Sequence, residues 1–264
     1  MSEGVNVFDE DWDNLVILDA CRYSSFRDHA DLPGTLEKRM SKGAATMEFI
    51  TANFKGRKEN DTVYVSANQW YPRLRDEIDA EIYKFLATER DAHEGLTTKP
   101  ETVTEEALNA ATEFPNKRLI VHYMQPHTPF LGPTGKKFKR AIGANELVRY
   151  NNVSTDDFKK AYHENLNLVL EEVEKILSEL CGKTVVTADH GELLGGRQSP
   201  IPVRSFGHYQ GIYLKELLEV PWHIYQNGER KSIQPGTPQR DDASFDRDEL
   251  NQHLQALGYR SDRY

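Results

Sequence analysis

Short apolar runs that stop at polar or acidic residues alternate along this chain with stretches of helical spacing. Residues 14–19 (NLVILD), 118–124 (RLIVHYM), 184–188 (TVVTA) and 220–225 (VPWHIY) are mostly apolar runs of the length and content that a strand buried on both faces requires. Residues 61–68 (DTVYVSAN) alternate, and 35–41 (TLEKRMS) supply a further strand after a short helix over 23–29. Helical spacing covers 102–114 and 46–54, with Thr46 at the N-terminal end of the latter, where a hydroxyl caps free backbone N–H groups. Ser154 opens a long helix whose Phe158, Ala161, Tyr162, Val169, Val173, Ile176, Leu177 and Leu180 form one stripe.

Elsewhere the pattern is weaker. Residues 70–100 predict no more than a short helix or two, 132–152 read as a mobile insertion rich in Gly, Lys and Arg, and 193–206 read as a loop. Residues 227–243 are polar and rich in Pro and Gly, a linker before a closing helix with Leu250, Leu254 and Leu257. The alternation of strand and helix predicts an α/β three-layer sandwich with a mostly parallel central sheet. Residues 1–226 form that domain, and 227–264 form a linker and helix packed on it.

Charge narrows the function classes. With 33 basic against 42 acidic residues, the chain carries a net charge of −9 and lacks the basic face of a nucleic-acid binder. No stretch approaches the roughly 18 to 20 apolar residues that span a bilayer, and the acidic start MSEGVNVFDEDWDN is unlike a signal peptide. A cytoplasmic protein with no transmembrane segment is expected. The two cysteines make no disulfide framework and no metal-ligand spacing; Cys181 reads as a small buried filler at a helix end.

The chemistry is concentrated where strands end. In an open α/β sheet, ligands gather beyond the carboxyl ends of the strands, so Asp19 and the adjacent Asp189 and His190 can converge there, with Gly191 allowing a sharp turn. Two carboxylates and an imidazole suit zinc or manganese best, with calcium or magnesium as weaker matches. The alternative is that both acids cap helices and His190 is a satisfied turn histidine. Thr46 is the candidate nucleophile, since a cation and a helix N-terminus would activate its hydroxyl and hold the attacked anion; Ser41 is a rival in the same segment. Arg22 could pair with a phosphate or sulfate oxygen, or form a salt bridge to Glu192. His122 lies inside a strand, as a core group or one supporting the ligands.

Together the two junctions, NLVILD and TVVTADHGE, resemble the alkaline phosphatase and sulfatase superfamily. Its first strand ends in a metal-binding acid and a late strand in Asp-His-Gly. The segment SKGAATMEFI is similar to the one in which a Ser or Thr opens the helix after the second strand. The formylglycine motif C-x-P-S-R of true sulfatases is absent, because Cys21 is followed by Arg22, Tyr23 and Ser24. The resemblance is therefore to the Ser/Thr branch, which includes phosphatases, phosphodiesterases and phosphoglycerol transferases.

The resemblance implies a metal held by Asp19, Thr46, Asp189 and His190. It also implies that His127 of HYMQPHTPF contacts substrate oxygens and that His208 of FGHYQG closes the site. A second metal in this superfamily needs an extra Asp on the His127 loop, which MQPHTPF lacks. The implied activity is hydrolysis or transfer of a phosphate ester, less readily a sulfate ester, with catalytic Thr46, His127 and Arg22, substrate-binding His127, His208 and Arg22, and a glycan or lipid-linked group among the substrates. The rival is a non-catalytic relative that binds a phosphorylated or sulfated glycan, or a partner protein. A plain flavodoxin-like binding domain is excluded by the lack of a G-x-G-x-x-G loop.

Overall fold

In the computed structural model, which describes residues 4–93, 96–138, 143–197 and 204–239, the apolar runs become the interior strands of one sheet. The strands in chain order are β1 (Asn14–Leu18), β2 (Thr35–Met40), β3 (Lys58–Ser66), β4 (Glu81–Ala87), β5 (Arg118–Tyr123), β6 (Gly182–Thr187), β7 (Leu193–Arg197), β8 (Arg204–Gly207) and β9 (Glu219–Asn227). Seven of them form the main sheet in the order β2-β9-β6-β1-β5-β3-β4. Strands β6, β1, β5, β3 and β4 pair in parallel, while β9 runs against both β6 and β2. β1 is buried along its whole length, as its uninterrupted apolar run requires.

The helices are α1 (Tyr23–His29), α2 (Thr46–Phe54), α3 (Trp70–Leu74), α4 (Pro100–Glu113), α5 (Ala144–Asn151), α6 (Thr155–Glu179) and α7 (Lys215–Leu218). Val16 and Leu18 of β1 pack with Phe26, Val103, Ala107 and Val169, so α1, α4 and α6 cover one face. Leu15 and Ile17 pack with Phe49, Ile50, Trp70 and Leu74, so α2 and α3 cover the other. This is the expected three-layer sandwich. Ser154 caps α6, its Oγ accepting from the Asp157 N–H, and the predicted stripe faces the core.

Several expectations are corrected. Residues 70–100 hold the edge strand β4 as well as α3; β4 is only partly buried, which blurs its pattern. The predicted loop 193–206 supplies the antiparallel pair β7 and β8. The insertion 132–152 contains α5, anchored by buried Ala144 and Leu147. Cys181 lies beyond α6 and is exposed rather than a buried filler. Thr46 is the first residue inside α2, and the flanking Ala45 has no capping side chain. Glu48 instead reaches back to accept the Ala44 N–H at 2.8 Å.

The segment after β9 is pinned along the edge of the sheet opposite the Asp19 end. Arg230 pairs with Asp11 and with buried Asp13, Lys231 donates to Asn14 Oδ1, and the Gln234 and Gly236 N–H groups bond the carbonyls of Asn116 and Asn60. The helix expected at Leu250, Leu254 and Leu257 lies outside the described residues. Among those residues no helix is long and apolar enough to cross a membrane. Because Arg230 is the charged partner of buried Asp13, Arg230→Ala is expected to lower stability by roughly 2 kcal/mol in urea unfolding.

Candidate metal centre

The pairing of β1 with β6 sets Ile17 opposite Thr187, and just beyond the two strands the Asp19 and Asp189 ends meet, Asp189 Oδ1 accepting the Ala20 N–H. Both carboxylates are fully buried. Asn68, just past β3, donates to Asp19 Oδ2 at 2.9 Å, and Asp189 Oδ1 accepts the N–H groups of Ala20 at 3.0 Å and His190 at 2.8 Å. The other two oxygens, Asp19 Oδ1 and Asp189 Oδ2, accept no hydrogen bond. Leaving buried acceptors without donors is costly unless a cation sits among them.

His190 faces that gap. Its Nδ1 lies 2.7 Å from the Gly191 carbonyl, which can only accept, so Nδ1 carries the proton and Nε2 a lone pair. Nε2 is 3.7 Å from Asp19 Oδ1, 3.4 Å from Asp189 Oδ2 and 3.4 Å from the Thr46 hydroxyl. Asp19, Thr46, Asp189 and His190 therefore surround one point, with lone pairs converging as a divalent cation requires. Electrostatics agree. Burial first, and then the Asp189 charge, push the Asp19 carboxyl well above its ordinary range. Burial also works to raise Asp189, but the imidazoles of His190 and His122, the nearby Thr46 hydroxyl and the Ala20 N–H hold it low. Burial keeps His190 neutral.

The left-handed turn lies on the β1 side, at Ala20, whose φ is 63°. Tyr162 on α6 holds it, donating to the Ala20 carbonyl at 2.8 Å and accepting the Arg22 N–H at 3.1 Å. Gly191 is required for space instead, since a Cβ there would stand 2.1 Å from the Glu216 carbonyl oxygen. Ser41, the rival nucleophile, gives its proton to the Asp189 carbonyl and accepts the Gly43 N–H at 3.2 Å, so its hydroxyl braces the turn. Cys21 is buried in the opposite core layer, and burial pushes its thiol up, away from the thiolate.

A second group of donors stands beside the first. His127, Glu192 and His208 each offer one ligand atom within 4.8 Å of the others. The His127 ring is 5.2 Å from that of His208, which is 4.1 Å from that of His190. Glu192, the last residue of the Asp-His-Gly-Glu turn, is the carboxylate of this group. Its Oε1 is 3.4 Å from His208 Nδ1. His127 donates from Nδ1 to the Thr128 carbonyl, which leaves Nε2 as an acceptor. Its loop is clamped by Asn165 on α6, whose Nδ2 bonds the carbonyls of His127 at 3.1 Å and Pro129 at 3.3 Å, while Oδ1 accepts the Leu131 N–H at 2.6 Å. Burial holds His127 and His208 at about 4.

Arg22 is not brought to these acids. Its backbone caps α1, its charge is felt by His163 and Tyr162, and among the described residues its side chain makes no ion pair with Glu192. Sequence reasoning gave no role to Asn68 or Asn165, and named Glu192 only as a salt-bridge partner for Arg22. The one signal was an Asn at position 165, on the apolar stripe of α6 three residues after Tyr162.

Burial pushes Glu192 up to about 7 from an ordinary 4.5. Between those values the folded chain keeps a proton that the unfolded chain has lost, so the metal-free protein loses stability as pH rises through this window. Glu192→Gln removes that penalty. The metal-free variant is expected to match the wild type near pH 4.5 and exceed it by roughly 3 kcal/mol at pH 8, measured by urea unfolding at both pH values.

No family model matches this chain. No curated protein matches it either. Solved structures do. The C-terminal periplasmic domain of EcEptC from Escherichia coli, in complex with Zn, is 14% identical, with a TM-score of 0.53 over 85% of this chain and 75% of that one. A 2-O GAG sulfatase is 11% identical, with a TM-score of 0.50 over 84% of this chain and 65% of its own. The chain shares the alkaline phosphatase-like α/β fold of these proteins.

Proposed function

We propose that this chain is a metal-dependent hydrolase or transferase of phosphate esters, less readily of sulfate esters, with Thr46 as nucleophile. The observation that carries this reading is the ring of acceptors around Thr46: two carboxylate oxygens without donors and the His190 Nε2 lone pair. No protein group can satisfy all three at once, whereas a divalent cation does. Asp19, Thr46, Asp189 and His190 would hold it. Zinc is the cation to try first, as it is bound to the EcEptC domain of the same fold, with manganese next.

A cation in this position would lower the pKa of the Thr46 hydroxyl and polarise the ester. The chain's own contribution is placement. Thr46 sits on the first turn of α2, where no side chain caps the helix, so the helix N-terminus favours an anionic group held against the hydroxyl. Attack by Thr46 Oγ1 on phosphorus forms a threonyl phosphate and breaks the bond to the ester alcohol, which leaves with the proton that Thr46 gives up. Water or an acceptor alcohol then displaces Thr46. His127 Nε2, neutral and unprotonated at pH 7, suits accepting a proton in the second step. Arg22 keeps a place only if substrate reaches the start of α1. A glycan or a lipid-linked group is the leaving alcohol this reading admits.

The grouping of His127, Glu192 and His208 favours a second reading of that side of the site, in which these three hold another cation. Zinc content after equilibration separates the two: one equivalent leaves the trio to the substrate, and two equivalents assign it to metal.

The test is turnover of a nitrophenyl phosphate, phosphodiester and sulfate panel by zinc- and manganese-loaded protein. Thr46→Ala is expected to lower kcat by at least about 1000-fold on the preferred ester, whereas Cys21→Ser should retain most activity. His127→Ala should lower kcat/KM by roughly 10- to 1000-fold. Full activity of the Thr46 variant, or loss confined to the Cys21 variant, would contradict the assignment.

A further inference from the structure

His122 lies in β5, opposite Ile17 of β1 and Ser66 of β3, and is fully buried in the layer covered by α2. Its Nδ1 is 2.8 Å from the Tyr64 hydroxyl, with the two rings stacked. The Tyr64 hydroxyl therefore occupies Nδ1, whichever of the two atoms carries the proton.

With Nδ1 taken up by Tyr64, the other ring nitrogen, buried Nε2, has no hydrogen-bond partner. One ligand atom from each of His122, Asp19 and Asp189 lies within 4.8 Å of the others. Asp19 Oδ1, Asp189 Oδ2 and His122 Nε2 are each buried without a hydrogen-bond partner, and a cation among them would satisfy all three.

We propose that His122 is a further ligand of the cation held by Asp19, Thr46, Asp189 and His190, binding through Nε2 from within the sheet. This rests on the metal reading of the site. Burial keeps the ring neutral at physiological pH, at about 4, which is the ligating form. With a cation on Nε2, Nδ1–H would be donated to the Tyr64 oxygen, an outer partner of the kind that orients a metal-bound histidine. Two imidazoles with two carboxylates also favour zinc or manganese over magnesium or calcium.

The full chain, stripped by chelator and titrated with cobalt(II), tests this. The wild type should show the weak visible bands of a five- or six-coordinate ion. His122→Leu, which keeps the volume apolar, should shift them toward the stronger bands of a four-coordinate ion and weaken cobalt binding by roughly 10- to 100-fold. Tyr64→Phe, which keeps the imidazole but removes its Nδ1 partner, should weaken binding by about tenfold. An unchanged spectrum and affinity in His122→Leu would overturn the proposal while leaving the metal centre standing. A wild type that binds no cobalt would remove both.

If His122→Leu does not fold, the imidazole count decides. X-ray absorption of zinc bound to the chain carrying His127→Ala and His208→Ala should show both His122 and His190, and a single imidazole would refute the assignment.

Discussion

Burying Asp19 beside Asp189 costs several kcal/mol per ion unless a counter-charge joins them, and no lysine or arginine of the described residues pairs with either. The surroundings manage this cost in two ways. Each acid has one oxygen fixed by protein donors, Asn68 for Asp19 and the Ala20 and His190 N–H groups for Asp189. The remaining oxygen of each is left facing an imidazole lone pair. Without a cation a proton must be retained, and the raised Asp19 carboxyl is where burial puts it. With a cation that proton is released, which makes metal affinity rise with pH.

The fold serves this one junction. β1 lies between β5 and β6, so the loops after the three strands meet without long excursions. Helix α6 braces that edge from one face, through Tyr162 on the Ala20 turn and Asn165 on the His127 loop. Helix α2 presents Thr46 from the other. Loss of either brace would misplace a loop of the candidate site without touching a proposed ligand.

Much of this was legible in the chain, because a buried strand is an apolar run and its end is the first polar residue. That rule singled out Asp19, Asp189 and His190 as candidates, and the helical spacing after 46 set Thr46 at a helix start. Register was not legible: only the pairing of Ile17 with Thr187 shows that the two acid-bearing strand ends meet. Asn68, Tyr162 and Asn165 were hidden because their partners come from distant elements, and side-chain hydrogen bonds leave no periodicity. His122 stands out inside its apolar strand, but the strand pattern left open whether it is a core group or a support for the ligands. Arg22 does not make the salt bridge to Glu192, the alternative to a substrate contact, because the chain turns at Ala20 and enters α1.

The most direct measurement is a calorimetric titration of the chelator-stripped chain with zinc, in buffers of different ionisation enthalpy, beside Asp19→Asn. The account predicts saturable binding by the wild type with net proton release, and affinity lost in the variant along with most of that release. Equal binding by the two, or no saturable binding by a folded wild type, would contradict it.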